Sequence, residues 1–282
     1  MKQFRLPKGR RLWNAPGAGR ETRFIHREIF EQHCYEKHGV TVSDHNVVFD
    51  VGANIGMFAL SLMERFGDLR IYCFEPVPGT LACLERNLAE SPRRGANQVT
   101  VVEVALGAAD AETTIEFFPA APGNSTLHSK EKHREFGDMM DVPFSALWKA
   151  NKWMALFFLP VFPFRKRLYG PSFERLLADP VSIPCQVRTV SGMIRQHGVN
   201  RIDLLKIDVE GAELDVLAGI EECHWPLIRQ ISMEVAPANK KGVAALRDRL
   251  RAHGFAQVAA DGMFGGESNL DDPLPAALYA VR

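Results

Sequence analysis

Apolar runs of five or six residues alternate with helical patterns along most of this chain. Residues 46–51 read as a strand, and 56–66 as a helix with Phe58, Ala59, Leu62 and Met63 on its core face. A strand over 70–75 follows, then a helix over 79–90 in which Leu81, Leu84 and Leu88 recur at helical spacing. Residues 99–104 read as a third strand, and β-branched and aromatic content marks a short one at 112–118. Regularity returns at 202–208 with a central strand and a helix carrying Leu214, Leu217 and Ile220. A strand over 228–235 and a helix over 241–252 come next, followed by two short strands near 254–260 and 276–281. This alternation predicts an α/β fold, a doubly wound Rossmann-like sheet ending in a C-terminal β-hairpin. Upstream, Phe24, Ile25, Ile29 and Phe30 predict a helix within 21–45 that packs on the sheet or covers a site beside it.

Residues 119–182 break the rhythm with prolines, the turn Gly123-Asn124-Ser125-Thr126 and nine Lys or Arg against six acids. An irregular stretch of that length inside a domain is functional or disordered, and here it is placed to be a substrate lid. The expected organisation is therefore a basic tail and covering helix over 1–45, then a catalytic domain over 46–282 with a lid insertion at about 119–182. Met154–Phe164 is the greasiest run, at eleven residues, and Pro160 and Pro163 interrupt it. A membrane span needs about 18 apolar residues. Arg165-Lys166-Arg167 follows at once, so the run reads either as a cover over the site or as a surface touching lipid or a greasy acceptor, peripheral to a membrane.

Composition narrows this only slightly. A chain of 282 residues buries one sizeable core, and 34 basic against 34 acidic residues give no global attraction to nucleic acid. Residues 1–20 carry six Lys or Arg and no acid, which predicts a flexible basic tail or an active-site cover. Five scattered cysteines without a C-x-x-C pair suit reduced thiols in a cytoplasmic setting and offer no zinc spacing.

The chemistry concentrates at two strand ends. In VVFDVGANIG an apolar strand ends at Asp50, then Gly52, Asn54 and Gly56 form a turn into a helix. The next strand ends in Glu75, where α/β nucleotide folds hold a ribose diol. A dinucleotide loop wants G-x-G-x-x-G so that pyrophosphate meets bare backbone, and the third glycine is absent here. A carboxylate before the turn suits instead the cationic methionine part of S-adenosylmethionine, and D-x-G-x-N-x-G resembles motif I of class I methyltransferases. The second cluster is Lys206, Asp208, Glu210, Glu213 and Glu234, at or near the C-terminal ends of two strands predicted to be adjacent. Polar groups in a buried strand are paired or used. Lys206, Asp208, Glu210 and Glu234 are the catalytic candidates, as general base or substrate holders, and Asp208 with Glu234 is a candidate Mg²⁺ pair.

VVFDVGANIG, IYCFEPVP, the GNSTL turn, RIDLLKIDVEGAELDVLAGI and IRQISMEV together resemble the FkbM family of S-adenosylmethionine-dependent methyltransferases, from about Glu21 to Arg282. The resemblance implies a class I fold and O-methylation of a polyketide, peptide, sugar or lipid hydroxyl, as in natural-product assembly. Asp50, Gly52, Asn54 and Gly56 would then cradle the methionine half of the cofactor and Glu75 its ribose, with Ala105 and Leu106 flanking the adenine. Relatives often carry His after the E-V of the fifth strand, where this chain has Ala236. His128 or His133 is the expected substitute. Two other classes compete: an NAD-dependent oxidoreductase, for which no pyrophosphate loop is found, and a lipid- or partner-binding module built on 154–167.

Overall fold

The computed structural model describes residues 1–119, 121–128, 144–145, 148, 159, 162–235, 243–262, 267–268 and 275–282. It opens with β1 (Lys2–Arg5) and β2 (Arg11–Asn14), then α1 (Gly19–His26), which runs into one π-helical turn at Arg27–Glu31. Next come β3 (Val47–Val51), α2 (Met57–Arg65), β4 (Arg70–Phe74), α3 (Pro78–Ala89) and β5 (Gln98–Val102). Short β6 (Ala105–Leu106) and β7 (Ala111–Phe117) precede α4 (Arg165–Leu176), β8 (Val181–Arg188) and α5 (Val190–Gln196). Then follow β9 (Leu204–Ile207), α6 (Glu213–Ala218), β10 (Gln230–Glu234), α7 (Val243–Ala252), β11 (Gln257–Gly262), β12 (Glu267–Ser268) and β13 (Pro275–Val281).

Eight strands make the main sheet in the order β12-β11-β13-β10-β9-β3-β4-β5. The five from β10 to β5 are parallel, and β13 inserts antiparallel between β10 and β11. The chain builds outward from β3 to β4 and β5, then returns to the other side of β3 with β9. A reversal of strand order opens a crevice at the C-terminal strand ends, which is where ligands bind in open α/β sheets. This is the doubly wound Rossmann-like sheet expected above, with its C-terminal antiparallel pair. All five residues of β3 are buried, which is why it reads as a continuous apolar run rather than an alternating one. Successive side chains point to opposite faces. Phe49 and Val51 thus join Phe74, Ile207, Met233 and Trp225 in one core layer, while Val48 joins Phe58, Leu62, Leu84 and Leu204 in the other.

Two regions differ from expectation. Residues 2–14, read as part of a flexible tail, form a hairpin with four paired positions. Leu6 and Leu12 are buried in the α2–α3 core layer, the Arg86 guanidinium stacks 3.6 Å from the Trp13 ring, and the Trp13 N–H donates to Asn87 Oδ1 at 2.7 Å. Of the hairpin's basic side chains, Arg10 pairs with Glu64 and stacks on the Phe30 ring, whereas Arg5, Lys8 and Arg11 are exposed. Second, Val181–Arg188, left unassigned at the edge of the insertion, is the middle strand of a three-stranded sheet β6-β8-β7. The third strand of the main sheet also stops at Val102, because Ala105–Leu106 crosses to pair with β8. Most of the expected lid, including His133 and residues 149–158, and Ala236 lie outside the described residues.

Candidate active site

The turn after β3 is built from backbone conformations that ordinary side chains resist. Gly52, Asn54 and Gly56 all have positive φ, at 74°, 49° and 85°. A Cβ on Gly52 would overlap the Asp208 carbonyl oxygen, so β9 can approach this closely only over a glycine. A Cβ on Gly56 would stand 2.5 Å from Leu84 Cδ1, which lets α3 pack against the start of α2. Gly56 therefore shapes the turn from outside the cavity.

Asp50 is not where the sequence reading placed it. It is fully buried beneath the turn and absent from the cavity wall. Across the β3–β9 register it faces Lys206, whose Nζ lies 3.0 Å from Asp50 Oδ1. The same ammonium donates to the Gly52 carbonyl at 2.8 Å and lies 3.6 Å from Asp208 Oδ2. Burial opposes the Lys206 charge, but the Asp50 and Asp208 carboxylates outweigh it and hold the amine protonated above its ordinary range. Lys206 is thus a fixed cation that secures the glycine turn, and as a protonated amine it is no general base.

Glu75, by contrast, lines the cavity. Its Oε2 accepts the Asn54 N–H and its Oε1 the Val77 N–H, both at 3.0 Å. Burial pushes its pKa up to about 7 against the opposing effect of those two bonds. The cavity measures about 270 Å³, and Gly52, Asn54, Ala105 and Leu106 share its wall with Glu75. Lys206, Asp208, Glu210 and Glu234 complete the floor at the strand ends. Of the candidate residues, only Asp50 and Gly56 stand back from it.

The acids on that floor are coupled. Asp208 Oδ2 accepts the Tyr35 hydroxyl at 2.7 Å, and Asp208 also hydrogen-bonds Glu234. Burial would raise Asp208, but the Lys206 charge and the bonds from Glu234 and Tyr35 hold it below the usual carboxylate range. Burial and the neighbouring Asp208 charge drive Glu234 well above that range. Asp208 is therefore the favoured anion of the pair and Glu234 the favoured holder of a proton.

That arrangement does not fit Mg²⁺. The ion needs several oxygen ligands turned toward it, and the Lys206 ammonium already supplies the positive charge beside Asp208. Among the described residues, no third Asp, Glu, His or Cys joins Asp208 and Glu234 at ligating distance. His128 is not on the cavity wall either, and its Nε2 lies 2.9 Å from Asp215 Oδ2 on α6.

A third group of wall residues comes from α1 and the segment after it. Phe24, Ile25, Glu21 and Glu28, together with Cys34 and Tyr35, close the cavity over the strand ends. Burial raises the pKa of both glutamates and pushes the Cys34 thiol up to about 12. Glu21 Oε1 accepts the Gly123 N–H at 2.7 Å, tying α1 to the Gly123–Thr126 turn, while its Oε2 is buried without a hydrogen-bond partner. The hydrophobic spacing of 24–30 predicted the covering helix, but no local signal distinguished Glu21, Glu28 or Tyr35 as cavity residues.

The family profile described as "Methyltransferase FkbM domain" matches residues 50–256, which contain the glycine turn, Glu75 and the whole acid floor except Tyr35. The chain belongs to this family. It is an S-adenosylmethionine-dependent methyltransferase. Among its relatives, "Methyltransferase sdnD" of Sordaria araneosa is 32% identical over 76% of this chain and 74% of that protein. The "31-O-demethyl-FK506 methyltransferase FkbM" of Streptomyces tacrolimicus is 35% identical over 94% of each. The "2-O-methyltransferase NoeI" of Sinorhizobium fredii (strain NBRC 101917 / NGR234) is 26% identical over 62% of this chain and 58% of that protein.

The FkbM-family cavity fits this cofactor chemically. Its wall carries six carboxyl groups, on Glu21, Glu28, Glu75, Asp208, Glu210 and Glu234, against the single ammonium of Lys206. Acids in such excess around one cavity favour a ligand bearing positive charge, and the cofactor has a sulfonium and an ammonium.

Proposed function

We propose that this enzyme methylates a hydroxyl oxygen of a small molecule, either a natural product (polyketide, peptide or sugar) or a lipid. The observation that carries the reading is the Asp208–Glu234 pair. It lines the crevice, with Asp208 half-buried and Glu234 exposed beside it, and Asp208 is the member held in the anionic form. When bound, S-adenosylmethionine supplies an electrophilic methyl group, which the acceptor oxygen takes while the S–C electron pair returns to sulfur. Asp208 receives the hydroxyl proton as the O–C bond forms, and Lys206 compensates the charge of the pair in both protonation states. Tyr35 holds the Asp208 carboxylate in place from the α1 side. The relatives from S. tacrolimicus and S. fredii, whose names describe action at oxygen, favour a hydroxyl acceptor over nitrogen or carbon. Proton removal by a carboxylate needs no divalent cation, so EDTA should leave the rate unchanged.

The test has two stages. Calorimetry should show binding of S-adenosylhomocysteine, and hydroxyl compounds screened with labelled methyl donor should identify the acceptor. Asp208→Asn should then lose about 10²–10⁴-fold in kcat while retaining affinity for S-adenosylhomocysteine. A rate within twofold of wild type would remove Asp208 as the base.

A second reading concerns acceptor delivery. Leu159, Phe164 and Leu168 are exposed, and Lys166 and Arg167 lie exposed between the last two. We infer that this surface touches lipid or an apolar acceptor at a membrane face.

A further inference from the structure

The cavity wall holds a carboxylate oxygen that no group in the described protein engages. Glu21 Oε2 is buried and has no hydrogen-bond partner, although Oε1 of the same side chain is fixed by the Gly123 N–H at 2.7 Å. The fixed oxygen aims the other one, since a carboxylate held at one end keeps little rotational freedom. Gly123 makes the approach possible, because a Cβ there would overlap Glu21 Oε1 and stand 3.5 Å from Asn54 Nδ2. Glu21, Gly123 and Asn54 therefore meet at the glycine turn. Asn54 links this point to the nucleoside side, because its backbone N–H is bonded to Glu75. Following the wall from Glu75 through Asn54 to Glu21 thus leads from the ribose position toward the amino-acid end of the cofactor. Asp50, the acid of the motif itself, lies buried under the turn and its near cation is Lys206.

We propose that Glu21 Oε2 accepts a hydrogen bond from the α-ammonium of the cofactor's methionine part, so that the anchor for that group comes from the N-terminal helix rather than from motif I. An ammonium brings three donors to a buried oxygen that otherwise carries an uncompensated desolvation cost. The inference rests on the cofactor assignment alone and is independent of the acceptor and of the base.

The experiment compares two ligands by calorimetry. S-adenosylhomocysteine keeps the amino-acid part, whereas 5′-methylthioadenosine keeps the nucleoside and thioether and lacks the ammonium. Glu21→Gln should lower affinity for S-adenosylhomocysteine by about tenfold or more and leave 5′-methylthioadenosine unchanged, on the scale of one charge-assisted bond. Retained binding of the second ligand also certifies the fold of the variant. Gly123→Ala, which displaces the Glu21 carboxylate without removing it, should give the same selective loss. An unchanged affinity for S-adenosylhomocysteine in Glu21→Gln overturns the proposal, and so does an equal loss for both ligands, which would make Glu21 a wall residue only. Failure of the wild-type protein to bind S-adenosylhomocysteine would instead refute its use of the cofactor.

Discussion

At the scale of single residues, Glu75 makes the cofactor site sensitive to pH. Its carboxyl is pushed up to about 7 by burial, with a smaller push from the Asp50 charge, against the two backbone N–H bonds and the Lys206 charge that lower it. Ribose hydroxyls donate to the charged form, so binding favours deprotonation and lowers that pKa. The sign follows: affinity for S-adenosylhomocysteine should tighten as pH rises toward 7 and level off above it. The expected gain is up to about tenfold between pH 6 and pH 8, set by the charged fraction available. Glu75→Gln should weaken binding by about 1–3 kcal/mol and flatten this dependence. Calorimetry at the two pH values decides it, and a slope that survives in the variant would assign the titration to another acid of the cavity. The place of Glu75 on the cavity wall was legible in the sequence because it follows from a local rule, an acid at the end of the second strand. Asp208 and Glu234 were legible for the same kind of reason, since strand ends in one crevice need only the order of strands. Asp50 was misplaced because nothing local reveals which way a strand residue points at the last step before a turn. The cross-strand partner, Lys206, decides that, and it lies more than 150 positions away. Glu21 and Tyr35 were invisible because α1 and the turn that follows it reach the strand ends by tertiary packing.

Among the elements, the N-terminal hairpin carries a stability prediction. Leu12 is buried against the layer formed by α2 and α3 although it sits in an Arg-rich segment. Leu12→Ala should destabilise the whole enzyme by about 2–5 kcal/mol, the usual cost of emptying a buried leucine site. Urea unfolding measures this directly, and an unchanged midpoint would mean that residues 2–14 do not belong to the cooperative fold. The hairpin escaped the sequence reading because its anchors are long-range: Arg10 meets Glu64 and stacks on Phe30, and Trp13 meets Asn87 and Glu90. Six basic residues without an acid resemble a tail until those partners are known. The strand Val181–Arg188 was hidden for a different reason. Pro184 speaks against a strand, yet the ladder to β7 runs unbroken past it, and the proline is tolerated because β6 pairs only with Val187 and Arg188 and leaves the other edge open. The parallel strands were readable throughout, because burial on both faces demands the unbroken apolar runs that the eye finds first.

Over the whole molecule, 34 basic and 34 acidic residues cancel, so any attraction to a charged surface must come from local asymmetry. No described helix is long and apolar enough to cross a membrane. The segment around Phe164 has the right pairing for contact with lipid. The Phe164 side chain is 60% exposed, Leu168 is 53% exposed, and Lys166 and Arg167 stand between them at the surface. Each basic residue near an anionic leaflet contributes about 1 kcal/mol, so the two exposed ones supply about 2 kcal/mol, roughly a thirtyfold enhancement. Insertion of one aromatic side chain adds a comparable apolar term, on the order of 1.5–3 kcal/mol. Together they predict weak, reversible binding to phosphatidylserine vesicles that salt reverses, because exposed charges are screened beyond a Debye length of about 8 Å at physiological ionic strength. Co-sedimentation should therefore be visible at low salt, reduced at high salt, and lost in Phe164→Asp, whose active site is untouched. The same variant should keep its rate on a water-soluble acceptor and lose it on one presented in vesicles, which separates acceptor delivery from chemistry. If the wild-type enzyme stays in the supernatant with anionic vesicles at low salt, the basic and apolar surface has no lipid role, and an acceptor must reach the cavity from solution.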